Sequence, residues 1–450
     1  MAAVCMAAAL VLTACGRSGG GGASAPAGSV PSGKVTGTIT LWAQGAEGEK
    51  LPKLIKGFEA ANPGVKVKVT AIPWDAAHAK YQSAIAGGTT PDVAQMGTTW
   101  MADFADSFQT VARGIDTGDI FPDAKAAAVV KGDTVGVPWY VDAPVIYYRT
   151  DLAKKAGYTS PPKTWPEFKA MAKAMQTKAG AKWGVALRPG GGGSFQTMLP
   201  FVFSNGASLM NSSGSKWTLD SPQMAGAMKY YQSFFTEGIA DRNLSIAPGA
   251  QESAFVKGRT PMLITGGVGI SALNQAGGAG FERKYAVMPF PKKQSSTSFV
   301  GGSNLVVFRN SEHSAAAWKL VQYLSKAKAQ ADWYKTTGDL PAVQSAWNEP
   351  GLRTDPKLKV FKKQLDSVQA PPANTAWTQV SAAADSQLER IVKGTDHGSV
   401  LGTEVPAEQR GFDRNRELTD GTQYHQRPGR PPQDRPGCRA RTARPEPRPE

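Results

Sequence analysis

The segment "TGTITLWAQG", residues 36–45, starts the first regular pattern of the chain, because apolar residues alternate there with threonines as in a half-buried β-strand. "EKLPKLIKGFEAANPG", residues 49–64, places its apolar residues on one helical face and stops at Asn-Pro-Gly. "VKVKVTAI", residues 65–72, alternates again, and residues 79–96 give a helix followed by a short strand. This β-α-β-α-β order predicts an α/β fold with mainly parallel strands, in which ligands bind beyond the carboxyl ends of the strands.

The bulk composition is typical of a globular chain rather than a disordered one. The 450 residues carry a net charge of +15, yet the lysines are spread along the body and form no stripe, so we expect no nucleic-acid partner. The three cysteines are Cys5, Cys15 and Cys438. Because residues 16–437 contain none, no disulfide can hold the body together, and a chain of this length is stabilised by its hydrophobic core.

The N-terminus has the pattern of an exported protein. An apolar run of about a dozen residues is too short to span a bilayer and predicts a signal peptide over residues 1–14. "LTAC", residues 12–15, resembles a bacterial lipobox, which implies that Cys15 carries lipid and anchors the chain to the membrane. Residues 15–34 then form a flexible Gly/Ser/Ala/Pro tether. No Lys or Arg precedes the apolar run, so an upstream start or an unprocessed apolar tail remains open.

The C-terminal segment, residues 403–450, has a different composition from the body. It contains ten arginines, eight prolines and no lysine, whereas ten arginines and 31 lysines precede it. Few apolar residues remain, so the segment is predicted to be disordered. One hypothesis is that it is read in a shifted frame. The alternative is a genuine Arg/Pro-rich arm that contacts an anionic polymer.

Four segments of the body together resemble the extracellular solute-binding proteins (family 1) of sugar-importing ABC transporters. They are "GVPWYVDAPVIYYRTDL" (residues 136–152), "PPKTWPEF" (161–168), "SFVGGSNLVVF" (298–308) and "TTGDLPAV" (336–343). The resemblance covers roughly residues 35–400. It implies a periplasmic-binding-protein-like fold of type II, with two lobes that are each a mainly parallel sheet flanked by helices, and with a hinge that the chain crosses several times.

The resemblance also implies lobe boundaries and a function. The predicted lobes are residues 35–143 with 305–337, and residues 144–304 with 338–400. A receptor of this family captures a sugar or oligosaccharide between its lobes and delivers it to a membrane permease, without a cofactor, a metal or catalysis. We expect a lipid-anchored, extracytoplasmic monomer.

The aromatic residues of the hinge-adjacent segment fit a sugar ligand. Flat rings cover the C–H faces of a sugar, while carboxylates and amides bind its hydroxyls; Tyr147 and Tyr148 are better explained as core residues of a strand. The acid at Glu47 is equally consistent with a solvated helix start. Chemistry and resemblance together give these candidate ligand-binding residues: Trp42, Gln44, Glu47, Gln95, Trp100, Trp139, Asp142, Phe195, Gln196, Asn304 and Trp377.

One position departs from the family pattern. Many relatives carry Gly-Pro-Trp after a strand of the second lobe, with the Trp stacked on a sugar ring, whereas this chain has "ITGGVGI" and places Val268 there. One stacking surface is therefore missing, so either the subsite is wider or Phe195 or Trp217 takes the place of the ring.

The main alternative is a secreted hydrolase or lyase that acts on polysaccharide. Such an enzyme needs two carboxylates about 5 to 9 Å apart, and the sequence shows no paired arrangement, so Asp142 is expected to stand nearly alone. "GGVGISA", residues 266–272, resembles a dinucleotide fingerprint, but Asp and Glu are absent from residues 283–311, where an acid for the ribose would be needed.

Overall fold

The computed structural model describes residues 28–394. The predicted signal peptide, the predicted lipidation site at Cys15 and the Arg/Pro-rich segment lie outside the described residues. Within the predicted tether, Val30 donates a backbone hydrogen bond to Arg113, and the Arg113 N–H donates to Gly28, so residues 28–30 lie against the body. No helix of the described part is both long and apolar enough to cross a bilayer.

The strands have the following bounds: β1 Gly37–Gln44, β2 Val65–Ile72, β3 Val93–Gly97, β4 Val129–Val130, β5 Asp133–Thr134, β6 Val137–Asp142, β7 Val145–Arg149, β8 Met262–Thr265, β9 Tyr285–Met288, β10 Ser298–Phe299, β11 Gly301–Val307, β12 Leu340–Pro341 and β13 Val368–Gln369. The α-helices are α1 Gly45–Ala61, α2 Trp74–Ala86, α3 Met101–Phe104, α4 Pro122–Ala126, α5 Thr150–Lys155, α6 Trp165–Thr177, α7 Ser194–Ser204, α8 Pro222–Thr236, α9 Ala250–Val256, α10 Val268–Gly277, α11 Ser314–Leu324, α12 Ala327–Thr337, α13 Pro356–Leu365 and α14 Trp377–Lys393. Short 3-10 turns are Thr98–Trp100, Ala105–Ser107, Phe281–Arg283 and Gln344–Asn348.

A six-stranded sheet in the order β12-β6-β11-β3-β1-β2 forms the centre of the first lobe. β1 is parallel to β2 and β3, whereas β11 runs antiparallel to both β3 and β6. The strands β1, β2, β3 and β6 therefore share one direction, and their carboxyl ends meet at one edge. Helix α1 covers this sheet with the buried Leu51, Ile55 and Phe58, which are residues of the apolar face that the sequence indicates.

The second lobe contains a three-stranded sheet in the order β8-β7-β9, and β7 is antiparallel to both neighbours. The sequence predicts a mainly parallel sheet here. That prediction is wrong for this sheet, because its central strand β7 is antiparallel to both neighbours. Because β8 and β9 both oppose β7, they do run in the same direction, as a strand-helix-strand unit joined by α10 should. The prediction failed because β7, which follows β6 directly, lies between them.

The chain crosses from one sheet to the other more than once. β6 ends at Asp142 and β7 begins at Val145; later, β10 pairs with β13 and β11 returns to the six-stranded sheet. β12 also pairs with β6, so residues 340–341 belong to the first sheet and lie beyond the boundary at 338 that the sequence predicts. By α13 the chain is back beside β9, where Lys357 Nζ donates to the carbonyl of Glu282.

A second hydrophobic core lies among the helices α6, α7, α8 and α14. Helix α6 begins with a reciprocal cap in which Thr164 accepts from the Glu167 N–H while the Glu167 carboxylate accepts from the Thr164 N–H, an arrangement that fixes a helix start. The ring of Phe201 packs edge-on against Trp165, Tyr231 and Phe290. This helical core also includes Ile146, Met262 and Met288 of the three-stranded sheet.

Candidate functional site

A cavity of about 370 Å³ opens at the carboxyl edge of the six-stranded sheet, within the size range of small-molecule sites. Residues at or just beyond the carboxyl ends of β1, β2, β3 and β6 contribute to one wall, as the shared strand direction requires. Elements around the second sheet form the other wall. The lining residues are Glu47, Trp74, Gly97, Thr98, Thr99, Trp100, Tyr140, Val141, Asp142, Gln196, Gly267, Val268, Gly302, Gly338, Asp339 and Leu340.

Hydrogen bonds behind the cavity hold Glu47 in place. The Tyr140 hydroxyl donates to Glu47 Oε1 at 2.9 Å and accepts from Gln95 Nε2 and Ser303 Oγ, both at 3.0 Å. Gln95 is in turn fixed because its Oε1 accepts from the Gln44 backbone N–H at 3.0 Å. Burial, together with the nearby Glu47 carboxylate, raises the pKa of Tyr140 well above its usual value. Tyr140 therefore stays protonated and donates to Glu47.

Two further acids, from distant parts of the sequence, line the same cavity. Asp142 ends β6, and Asp339 lies between α12 and β12. Burial raises the pKa of the Asp142 carboxyl to about 6. Burial and then the charge of Glu47 raise the pKa of Asp339 to about 7. Asp142 therefore does not stand nearly alone, in contrast to the expectation from sequence.

Two tryptophans provide the apolar surface of the cavity. The ring centroids of Trp74 and Trp100 are 5.6 Å apart, with an angle of 56° between the planes. Trp74 is 39% exposed, which is unusual for so large an apolar side chain. Gly45 makes room for it: φ is +48°, and a Cβ at this position would lie 2.7 Å from Trp74 Cδ1. Any side chain at residue 45 would displace the indole.

The opposite wall is nearly bare of large side chains. Gly267 and Val268 begin the turn into α10, and Gln196 projects from the first turn of α7. A Cβ on Gly266 would lie 1.4 Å from Asp142 Oδ1, so only glycine allows the carboxylate to approach this backbone. A hydrogen bond from the backbone of Gly267 opposes the rise in the pKa of Asp142.

The loop before α7 is held by one buried acid. Asp385 of α14 accepts hydrogen bonds from the backbone N–H groups of Gly193 and Phe195, at 2.7 and 2.6 Å, and from the Ser194 hydroxyl at 3.1 Å. These bonds satisfy donors at the start of the helix. The arrangement fixes the position from which Gln196 reaches the cavity.

The chain matches the model of a known protein family. The model of the family described as bacterial extracellular solute-binding protein matches residues 42–331. This chain belongs to that family. The resemblance that the sequence motifs carry is thereby confirmed.

Individual relatives agree with the assignment. A binding protein of Brucella abortus is 26% identical over 381 residues, which are 82% of this chain and 90% of the relative. The sugar-binding protein MalE of Xanthomonas citri superposes with a TM-score of 0.78 at 28% identity, over 86% of this chain and all of that one. The GacH receptor of Streptomyces glaucescens, solved unliganded and with acarbose, gives 0.75 at 26% identity, over 84% and 98%. The two-lobed α/β fold is confirmed.

Of the candidates from sequence, the structure brings Glu47, Trp100, Asp142 and Gln196 to the wall of the cavity. Gln44 and Gln95 do not line the cavity; both are fully buried. Gln95 Nε2 donates to the Tyr140 hydroxyl and is itself held by the Gln44 backbone N–H, so the two residues help to hold Tyr140 against Glu47. Five of these six residues follow or end a strand or lie in the first turn of a helix, and Gln95 lies within β3.

The remaining aromatic candidates lie in the cores. Trp139 is fully buried and stacks on Trp333, with ring centroids 4.7 Å apart. Phe195 and Trp377 are buried in the helical core. These three rings do not line the cavity, because strand alternation and helix packing direct them inward.

Two further candidates lie away from the cavity wall. Trp42 is partly buried, packs on Tyr81 and carries Lys80 Nζ 4.7 Å from its ring centre. Asn304 is fully buried, and neither its side-chain oxygen nor its nitrogen has a hydrogen-bond partner. Trp217, the expected substitute at the missing stacking surface, is also buried.

Sequence reasoning missed Trp74, Tyr140 and Asp339 as lining residues. Trp74 comes directly after the second strand of the first βαβ unit, so the rule that ligands bind at carboxyl ends could have found it. Asp339 lies in "TTGDLPAV", a segment that carries the family resemblance. Nothing local distinguishes Tyr140 from its neighbour Trp139, since only strand register decides which one faces the cavity.

Proposed function

We propose that this chain is a lipid-anchored receptor that captures a sugar or oligosaccharide outside the cytoplasm and delivers it to an ABC-type import permease. The observation that carries the proposal is the composition of one cavity wall. It combines two partly exposed tryptophans, Trp74 and Trp100, with the carboxylates of Glu47, Asp142 and Asp339. Flat apolar faces beside hydrogen-bond acceptors match the C–H faces and hydroxyls of a saccharide.

The relatives support this ligand class. The structurally similar proteins include one named as sugar-binding and one solved with acarbose. A receptor needs to hold its ligand and release it unchanged, so it needs no group tuned to a transition state. The hydrolase or lyase alternative finds no support among these relatives, which are binding proteins.

Capture is proposed to use closure of the two lobes around the cavity, a hinge motion of the kind seen in periplasmic binding proteins. The structure has contacts across the cleft that such closure would use. Thr378 Oγ1 of α14 donates to Asp103 Oδ2 of α3 at 3.3 Å. The Asp142 carboxylate lies against Gly266, which precedes α10. Both contacts join an element of the six-stranded sheet's lobe to an element of the other.

Anchoring is part of the proposal and concerns residues outside the described range. A lipid on Cys15 would hold the receptor near its permease at high effective concentration. Mass spectrometry of the membrane fraction, with Cys15→Ala as control, tests this part. A protein of full unprocessed mass in both samples would contradict it.

The ligand is tested by thermal denaturation against a panel of mono- and oligosaccharides, followed by calorimetry on the hits. A ligand at a hundredfold excess over its Kd adds about 2.7 kcal/mol to the unfolding free energy, enough for a clear rise in Tm. Small-angle scattering with and without the best ligand should report a more compact protein. No stabilisation by any saccharide would contradict a sugar receptor, and release of cleavage products would favour the hydrolase or lyase.

A further inference from the structure

The charged residues of the cavity all have one sign. Glu47, Asp142 and Asp339 are the acids among its lining residues, and no Lys, Arg or His is among them. This is notable in a chain with a net charge of +15, because cations are abundant elsewhere on the body. The wall is therefore selective against anionic ligands such as uronic acids or sugar phosphates.

These acids have no cationic partner within the described residues. None of the three takes part in an ion pair among residues 28–394. Asp339 is only 5% exposed, and although the side chains of Thr337 and Trp333 donate to it, its pKa stays raised. A buried acid whose charge no cation offsets is costly unless a ligand supplies one.

The closeness of the three acids affects the pKa of one of them. The charges of Glu47 and Asp142 both contribute to the raised pKa of Asp339. Like charges that share a site disfavour one another's ionisation. Besides these acids, the titratable groups that face them are Tyr140 and Tyr147, whose pKa values burial raises well above normal; both are neutral and offset none of the negative charge.

We propose that the preferred ligand of this receptor is a saccharide that carries a protonated amine, which binds among Glu47, Asp142 and Asp339. The inference rests on the proposed sugar-receptor function and narrows its ligand class. An ammonium group is both a cation and a triple donor, so it can donate to the acids that line the cavity and relieve the repulsion among them. Charge-assisted hydrogen bonds of this kind are about twice as strong as neutral ones.

A neutral saccharide is the competing occupant, and the two differ in their expected dependence on pH. An ammonium ligand binds best when the acids are ionised, so its affinity should rise as pH increases through about 6 and 7, the pKa values of Asp142 and Asp339. The hydroxyls of a neutral saccharide can donate to an ionised acid or accept from a protonated one, so its affinity should change much less over the same interval. Above the pKa of the amine itself the first trend must reverse.

The experiment uses matched sugars that differ only in the substituent at C2 of each ring. The sets are glucosamine, N-acetylglucosamine and glucose; galactosamine, N-acetylgalactosamine and galactose; and the β-1,4 disaccharides of glucosamine, N-acetylglucosamine and glucose. Calorimetry at pH 5.5 and 7.5 on the full chain should give, in at least one set, an amine that binds at least tenfold more tightly than both partners at pH 7.5. The same amine should bind more weakly at pH 5.5.

Variants separate the cavity charge from the overall charge. Asp339→Asn should weaken the amine at least tenfold and remove most of its pH dependence, while a neutral sugar that binds is little affected. Asp220→Asn is the matched control, because Asp220 is exposed and lies outside the cavity; it should leave every affinity unchanged. Circular dichroism checks that each variant is folded, and Glu47→Gln provides a second test if Asp339→Asn is not.

The outcomes distinguish this inference from the function on which it rests. Neutral sugars that bind as tightly as their amines, or binding of neutral sugars alone, would overturn the amine and leave the sugar receptor intact. Failure of every sugar in these sets and in the wider saccharide panel would overturn both. Binding of Ca²⁺ with the same dependence on Asp339 would also overturn the amine, since a metal would then be the cation.

Discussion

Two pairs of tryptophans in this molecule have the same local setting and opposite environments. Trp74 is the first residue of α2 and Trp377 is the first residue of α14. Trp74 pairs with Trp100 and is 39% exposed, whereas Trp377 stacks with Trp217, at 6.2 Å and 28°, and is 3% exposed. What differs is the neighbouring element. α2 starts at the open carboxyl edge of a sheet, while α14 packs against other helices.

The local sequence around a tryptophan does not determine whether the ring lies at a cavity or in a core. A tryptophan at a helix start is a large apolar surface in either case, and local pattern cannot say whether solvent or a second helix meets it. Trp377 is among the ligand-binding candidates from sequence, and the structure places it in a core. The two pairs therefore predict separable effects on stability and on binding.

The largest expected effect is on the unfolding free energy of a Trp377→Ala variant. Removing a buried tryptophan leaves a cavity, and such substitutions cost about 3–5 kcal/mol. We expect a lower denaturation midpoint in guanidinium chloride, followed by circular dichroism, with nearly unchanged affinity of the folded variant for the best saccharide of the panel. Wild-type stability combined with lost affinity would return Trp377 to the ligand site.

Trp74→Ala should show the reverse behaviour. The ring lies on the cavity wall, so losing its contact with a sugar face should weaken binding by on the order of 2 kcal/mol, or about thirtyfold in Kd. Because the side chain is already partly exposed, the denaturation midpoint should change little. Calorimetry gives the affinity.

Trp183→Ala is the control for that variant. Trp183 is also partly buried, but it lies outside the cavity beside Lys182. Its loss should leave the affinity unchanged. Equal weakening by both substitutions would mean that Trp74 acts through the fold rather than through contact.

Much of the first lobe could be predicted because its signals are local. Strand alternation, the apolar face of α1 and the stop at Asn-Pro-Gly are short-range patterns, and they give β1, α1 and β2 in order. The same logic places Glu47 and Asp142 near strand ends. The direction of β7 could not be predicted, because it depends on which strands insert beside it from far along the chain.

The acids show the same limit at the level of the site. Asp142 can be recognised in its aromatic segment, but its neighbours Glu47 and Asp339 come from opposite ends of the first lobe. A pattern search sees three isolated acids, and only the sheet order brings them to one wall. The negative charge of the cavity therefore depends on the sheet topology, and no single sequence motif predicts it.

The smallest expected effect, and the one that sharpens the comparison most, comes from Val268→Trp. Val268 is 43% exposed on the bare wall, at the position where the sequence resemblance leads us to expect a stacking tryptophan. A ring there would give the second lobe an aromatic surface of its own, so a flat ligand could be covered on two sides. The gain should be about 1 kcal/mol, or about fivefold in Kd.

Val268→Leu is the control, because it adds apolar volume without a flat face. Tighter binding by Trp and not by Leu would show that the wall lacks a ring. Weaker binding by Trp would show instead that the ligand already fills this space, and that Val268 is small because the ligand is wide.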